Sequence, residues 1–370
     1  MHGMRFLLPC VLVAACGADP GAGEDPSDTT SSDLGTTVLA PDVSRLVQGP
    51  TGDIEVMLRS GGVSVLDPAT SALASVAGRS GYLAGSGVTF DFGGSAFSSM
   101  YLSRKDAAGV ETKLPQTLYD PSAIGFDASY FYFYARTSDY YYGDHAIYRI
   151  GLAPGAALEN VGWVGNGENE PDPLTTLTAG GGVYWTTLPN TCSLGDSDSC
   201  WQIALGRTDG TRVTPRLADG TYVGFSAIAS YGGDLYAASS SAIYKLPGGD
   251  LGKPLEQVCA IPSSLKVKLS NSTILVGVSR AGFAATSRGF IVPVQSSDYR
   301  SALALVRWNC TTKMLTTFGA PAGGSVSSYG LTQVSDIVVR GNEIFWLDRQ
   351  PWTAGDEYGD SYYALKKTTF

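Results

Sequence analysis

One plan of apolar runs recurs five times between residues 122 and 367. A short opening run is followed by an aromatic or β-branched run, and then by a third run. The copies read SAI (122–124), YFYFY (130–134) and AIYRI (146–150); LTTL (174–177), VYWT (183–186) and IALGR (203–207); SAI (226–228), LYAA (235–238) and AIYKL (242–246); GFA (282–284), FIV (290–292) and ALVRW (304–308); and SDI (335–337), IFWLD (344–348) and YALKK (363–367). The central runs sit near Tyr132, Tyr184, Tyr236, Ile291 and Phe345, about 50 to 55 residues apart, which is the period of one supersecondary unit repeated many times. A small antiparallel sheet of such residues is apolar on both faces and buries them only against neighbouring copies. The period therefore predicts an all-β fold, a β-propeller of four-stranded blades. A pair of β-sandwich domains is the alternative, and it would need two different strand patterns instead of one.

From residue 38 onward there is almost no helical period, and Gly, Pro, Asn, Asp and Ser separate the runs. Residues 38–119 carry fainter units, at 54–58, 63–66, 88–92 and 100–102, enough for two compact blades. The last copy has no fourth run after Lys367. A segment near 37–47 is expected to supply it and so close the ring. The reading is one domain over 38–370 with seven blades, six or eight being the alternatives.

The N-terminus has a different character. Arg5 precedes an apolar run over 6–15 that ends in small residues, the pattern of a secretory signal over 1–15. The run is shorter than the ~20 apolar residues needed to span a bilayer, and no later run reaches that length. Val13-Ala14-Ala15-Cys16 resembles the bacterial lipobox, which implies that Cys16 is acylated and begins the processed chain. An ordinary signal with an incidental cysteine is the alternative. Residues 17–37 are almost all Gly, Ala, Ser, Thr, Asp, Glu and Pro and bury too little apolar surface to fold. Residues 16–37 thus read as a lipid-anchored disordered tether, with the membrane held through the acyl chains. Gly17 after the cysteine resembles lipoproteins sent to the outer membrane of Gram-negative bacteria, so the cell envelope is the expected location, outer membrane before inner.

The formal charge is −9, which argues against nucleic acid, whose phosphates need a basic footprint. The chain has 2 histidines, and His2 falls in the signal. That leaves His145 alone, so multi-histidine metal sites are excluded. No nucleophile elbow, phosphate loop or zinc-helix motif is present. Cys192, Cys200, Cys259 and Cys310 form an even set in an exported chain and allow three disulfide connectivities. Cys192 with Cys200 and Cys259 with Cys310 is the favoured pairing. No metal or cofactor is expected, although Asp196 and Asp198 offer a partial oxygen set for calcium, which wants about six or more ligands.

The Tyr-Trp-Thr run at 184–186 and the Phe-Trp-Leu-Asp run at 345–348 resemble bacterial envelope propellers and, more distantly, the YWTD propellers of lipoprotein receptors. Asp348 takes the acidic place of that pattern, whereas Thr187 stands there in the other clear copy. Between the second and third runs of each copy the connections vary in length. In a propeller, equivalent connections share one face, so the long ones are expected to form fingers on one rim. They carry Tyr140, Tyr141, Tyr142, Trp201, Tyr299, Trp352 and Tyr358 among Asp139, Asp144, Asp298 and Asp356. Aromatic faces beside carboxylates suit a cationic or sugar-bearing ligand. The expectation is a surface-tethered, non-enzymatic binding protein for a protein, peptide or glycan. A lyase or hydrolase with carboxylates in the central channel, and a structural envelope component, are the alternatives.

Overall fold

The computed structural model describes residues 36–48, 53–67, 69–77, 81–84, 86–94, 99–136, 145–165, 175–179, 182–187, 204–223, 227–239, 242–261, 283–294, 304–311, 314–318, 334–349 and 363–369. Among these residues the regular structure is β-strand, apart from one 3-10 turn at Pro247–Gly249. The first strands are β1 (Thr36–Gln48), β2 (Ile54–Leu58), β3 (Val63–Leu66) and β4 (Leu73–Val76), followed by β5 (Tyr82–Leu83), β6 (Thr89–Gly94), β7 (Met100–Lys105) and β8 (Glu111–Lys113). Next come β9 (Tyr119–Phe126), β10 (Tyr130–Arg136), β11 (His145–Gly151) and β12 (Leu158–Gly165), then β13 (Thr175–Ala179), β14 (Gly182–Thr187), β15 (Ala204–Arg207) and β16 (Arg212–Val213). The chain continues through β17 (Ala227–Tyr231), β18 (Asp234–Ala238), β19 (Ala242–Leu246) and β20 (Glu256–Ala260), and through β21 (Ala284–Thr286), β22 (Gly289–Val294), β23 (Ala304–Asn309) and β24 (Met314–Phe318). It ends with β25 (Val334–Arg340), β26 (Glu343–Arg349) and β27 (Tyr363–Thr369).

Each set of four consecutive strands from β5 to β24 forms its own antiparallel sheet, and the remaining strands join in one sheet ordered β25-β26-β27-β1-β2-β3-β4. The repeat read from the sequence is this four-stranded meander. First strands of successive sheets pack side by side, β9 on β13, β13 on β17, β17 on β21 and β21 on β25. Such an arrangement is a β-propeller, with the first strands innermost.

The seven-stranded sheet is the closure of the ring. Residues 36–43 of β1 run antiparallel to β27, from Thr36 opposite Thr368 to Val43 opposite Tyr363. Residues 43–48 of the same strand pair with β2, from Val43 opposite Leu58 to Gln48 opposite Ile54. The expected N-terminal strand is therefore present, and it does more than complete the last blade: it is also the innermost strand of the first. Phe345, Leu347 and Leu365 from the last blade share a buried core with Ile54, Val56 and Leu66 from the first.

Apolar side chains on both faces of each sheet fill the seams between blades, as the sequence pattern requires. Trp185 shows how closely they fit. It lies opposite Gly206 in the β14–β15 ladder, and a Cβ placed on Gly206 or on Gly162 of the preceding sheet would come within 2.4 Å of its ring. Neither position accepts a side chain without moving the indole.

Candidate functional site

Strand direction fixes two rims. The upper rim is where innermost strands begin, and connections between second and third strands join their ends there. Those connections run from Arg136 to His145, Thr187 to Ala204, Val294 to Ala304 and Arg349 to Tyr363. The expected finger residues Asp139, Tyr140, Tyr141, Tyr142, Asp144, Trp201, Asp298, Tyr299, Trp352, Asp356 and Tyr358 lie outside the described residues, as do Cys16, Cys192, Asp196, Asp198 and Cys200.

Polar groups from several blades meet at the channel mouth on this rim. β9 and β25 each open with an aspartate in the left-handed region, Asp120 at φ 46° and Asp336 at φ 47°. Both sit where the ladder to the second strand slips, between Tyr119 and Ser122 in one blade and between Ser335 and Val338 in the other. A bulge of this kind inserts residues without partners and re-aims their side chains. The Asp336 carboxylate accepts the Leu46 backbone N–H at 3.1 Å, tying the last blade to the first. Asp120 forms an ion pair with Arg136 at the end of β10, its side chain 52% exposed and that of Arg136 14% exposed.

Arg45 joins this group from β1. Only 6% exposed, it donates Nη1 to Ser122 Oγ of β9 at 2.9 Å. It reaches that far because β5 has only two residues, so β1 packs directly against β9. The Leu83 N–H of this short strand is held instead by both carboxylate oxygens of Glu55, at 2.9 and 2.7 Å. The mouth thus presents exposed Asp120 above inward-held guanidinium groups. Exposed carboxylates of this sort accept hydrogen bonds from hydroxyl, amide or ammonium groups. His145 lies opposite Arg136 in the β10–β11 register.

Sequence reasoning passed over Arg45, Asp120, Ser122, Arg136 and Asp336 as a group. Their one signal is polar residues, DPS at 120–122 and SDI at 335–337, at the start of runs that are otherwise apolar. Asp348, singled out by motif, belongs elsewhere. It is fully buried, ion-paired with Lys366, and Lys366 Nζ also lies 5.1 Å from the Trp346 ring centroid. Its place is in the seam core, not in a ligand site. Cys259 and Cys310 are bonded as expected, joining the outermost strand of one blade to the end of β23 in the next. Among the described residues no group of three or more His, Cys, Asp or Glu is arranged to hold a metal ion.

No protein-family model matches the chain, and no curated protein matches it. Similarity appears among solved structures. BamB from Moraxella catarrhalis is 14% identical at a TM-score of 0.41, covering 92% of this chain and 99% of its own. The α-L-arabinanase of Penicillium chrysogenum, solved with arabinobiose, is 11% identical at a TM-score of 0.40, covering 90% of this chain and 98% of its own. The acylaminoacyl peptidase of Pyrococcus horikoshii is 12% identical at 0.42, covering 87% and 54%. The class of this protein, a β-propeller closed by its N-terminal strand, is defined by its own strand pairing.

Proposed function

We propose that this chain is a lipid-tethered, non-enzymatic binding protein of the bacterial envelope that holds a protein, peptide or glycan on its upper rim. The observation that carries the reading is the channel mouth, where three blades contribute Arg45, Asp120, Ser122 and Asp336 on the rim where the connections between second and third strands start and end. Those connections bring the aromatic and acidic residues read from the sequence. A rigid scaffold with variable loops on one face is a common arrangement for recognition. The Cys259–Cys310 bond supports export, because such bonds persist in oxidising compartments. Anchoring through Cys16, with the outer membrane as destination, belongs to the same proposal.

A second reading has one observation in its favour. Asp120 and Asp336 both stand on innermost strands, where a channel hydrolase would keep its carboxylates.

One experiment addresses both. The full chain is applied to glycan and peptide arrays beside a folded Tyr141→Ala/Trp352→Ala variant and an Asp120→Asn variant, and the bound glycans are then checked for cleavage. Binding that is lost in both variants, with the ligand intact, is the expected result. Unchanged binding by the variants would overturn the rim as the site, and cleavage abolished by Asp120→Asn would transfer the assignment to a hydrolase.

A further inference from the structure

Strand β1 serves two blades, and the handover occurs at Pro41 and Asp42. Both residues are exposed. Asp42 has φ 54°, a left-handed conformation that strains a residue with a side chain. The ladder that residues 36–43 make with β27 slips twice, between Val38 and Ala40 and again between Ala40 and Val43. By contrast, β26 and β27 pair without a break from Glu343 opposite Thr369 to Arg349 opposite Tyr363. Val38 is left 56% exposed. The first half of β1 is thus an irregular strand at the edge of the last blade, joined to the rest of the ring through a strained link.

The seam has other closures. The shared core of Phe345, Leu347 and Leu365 with Ile54, Val56 and Leu66 takes Ala40 from the outer half of β1 and has Leu39 packed against it, but its other buried members lie outside residues 36–42. At the lower rim, Arg340 Nη2 donates to Ser71 Oγ at 2.6 Å and to the Asp67 carbonyl at 3.1 Å. Ser71 in turn donates to Glu343, which also holds Lys367 at 2.8 Å. This clasp joins the last blade to the β3–β4 turn of the first without any residue of β1.

We propose that residues 36–42 exchange between two copies of the chain, each copy's segment pairing with β27 of the other. Pro41 and Asp42 are the hinge. Every backbone pair lost within one chain is regained between chains, and the contact is isologous, so it closes as a two-fold dimer. What tips the balance is release of the left-handed Asp42, once per chain, against the entropy of association.

The test places Thr36→Cys and Thr368→Cys, which face each other in the β1–β27 ladder, in the full chain. The chain is incubated at high concentration, oxidised, sized by light scattering and run on a non-reducing gel. The expected result is a dimer whose chains are covalently joined only when both substitutions are present. A chain that stays monomeric, or a dimer whose new bond closes within each chain, overturns the proposal. A second measurement leaves the ladder native. Asp42→Gly accommodates the left-handed conformation without penalty, so it should lower the dimer association constant about tenfold or more. An unchanged constant would remove the hinge.

Discussion

Two seams of this ring solve the same packing problem with opposite materials. Between the β5–β8 and β9–β12 sheets the core is aromatic. Phe131 stacks on Phe90 at 4.9 Å and on Tyr82 at 5.5 Å, and Phe92 meets Phe133 edge-on at 5.2 Å. Between the β17–β20 and β21–β24 sheets the core holds Ala227, Ala229, Ala238 and Ala285 around Ile243, Phe283 and Trp308. Alanine contributes little area to the hydrophobic term. That second seam carries the Cys259–Cys310 bond, and Trp308 Nε1 lies 3.1 Å from Cys259 Sγ. Where alanines take the place of many of the large rings, a covalent crosslink also joins the neighbouring blades.

The comparison breaks most readily at Phe131. Phe131→Ala should cost about 3–5 kcal/mol in chemical denaturation, because a fully buried ring in a close-packed cluster leaves a cavity. Lys366→Met should approach that loss, at about 3–5 kcal/mol, by removing the cationic partner of the buried Asp348 carboxylate in a third seam. Adding Asp348→Leu should recover most of it, and a double variant no better than the single would show that the pair is not the cause. Removing the crosslink with Cys259→Ser/Cys310→Ser should cost about 2–4 kcal/mol. Combined with Phe131→Ala the losses should add, since distant sites act independently; strong coupling would mean that the two seams are not separate structures. Gly206→Ala, forced against Trp185, should cost about 1–3 kcal/mol by overpacking, visible as a lower melting temperature.

The smallest effect is at the clasp. Burial pushes the Glu343 carboxyl upward, but hydrogen bonds from Lys367 and Ser71 and the charges of Lys367 and Arg340 outweigh it, so the net shift is down. A depressed carboxyl stabilises the fold above its unfolded value and loses that contribution as pH falls through the folded value. Glu343→Gln should therefore flatten the acid side of the stability–pH curve, by about 1 kcal/mol or less, and leave neutral-pH binding unaltered.

How much of this was legible follows from which forces write themselves into single residues. β-branched and aromatic runs such as YFYFY at 130–134 state their burial directly, and the missing fourth run after Lys367 pointed to a strand near 37–47. That the same strand would also open the first blade was not readable, because the handover depends on backbone conformation at Asp42. The channel mouth was hidden for a similar reason. Asp120 and Asp336 owe their positions to bulges, and Arg45 reaches Ser122 only because β5 is short, a fact about a neighbouring strand. The pairing of Cys259 with Cys310 was the favoured one among three connectivities, and the geometry bears it out.

The shared strand also sets an order of events. β1 emerges early in synthesis, yet its outer ladder needs β27, more than 300 residues later. At about 5–20 residues per second, the two halves of that ladder are separated by roughly 15 to 60 s. During that interval the ring stands open, and its first blade holds a strand whose second partner does not yet exist.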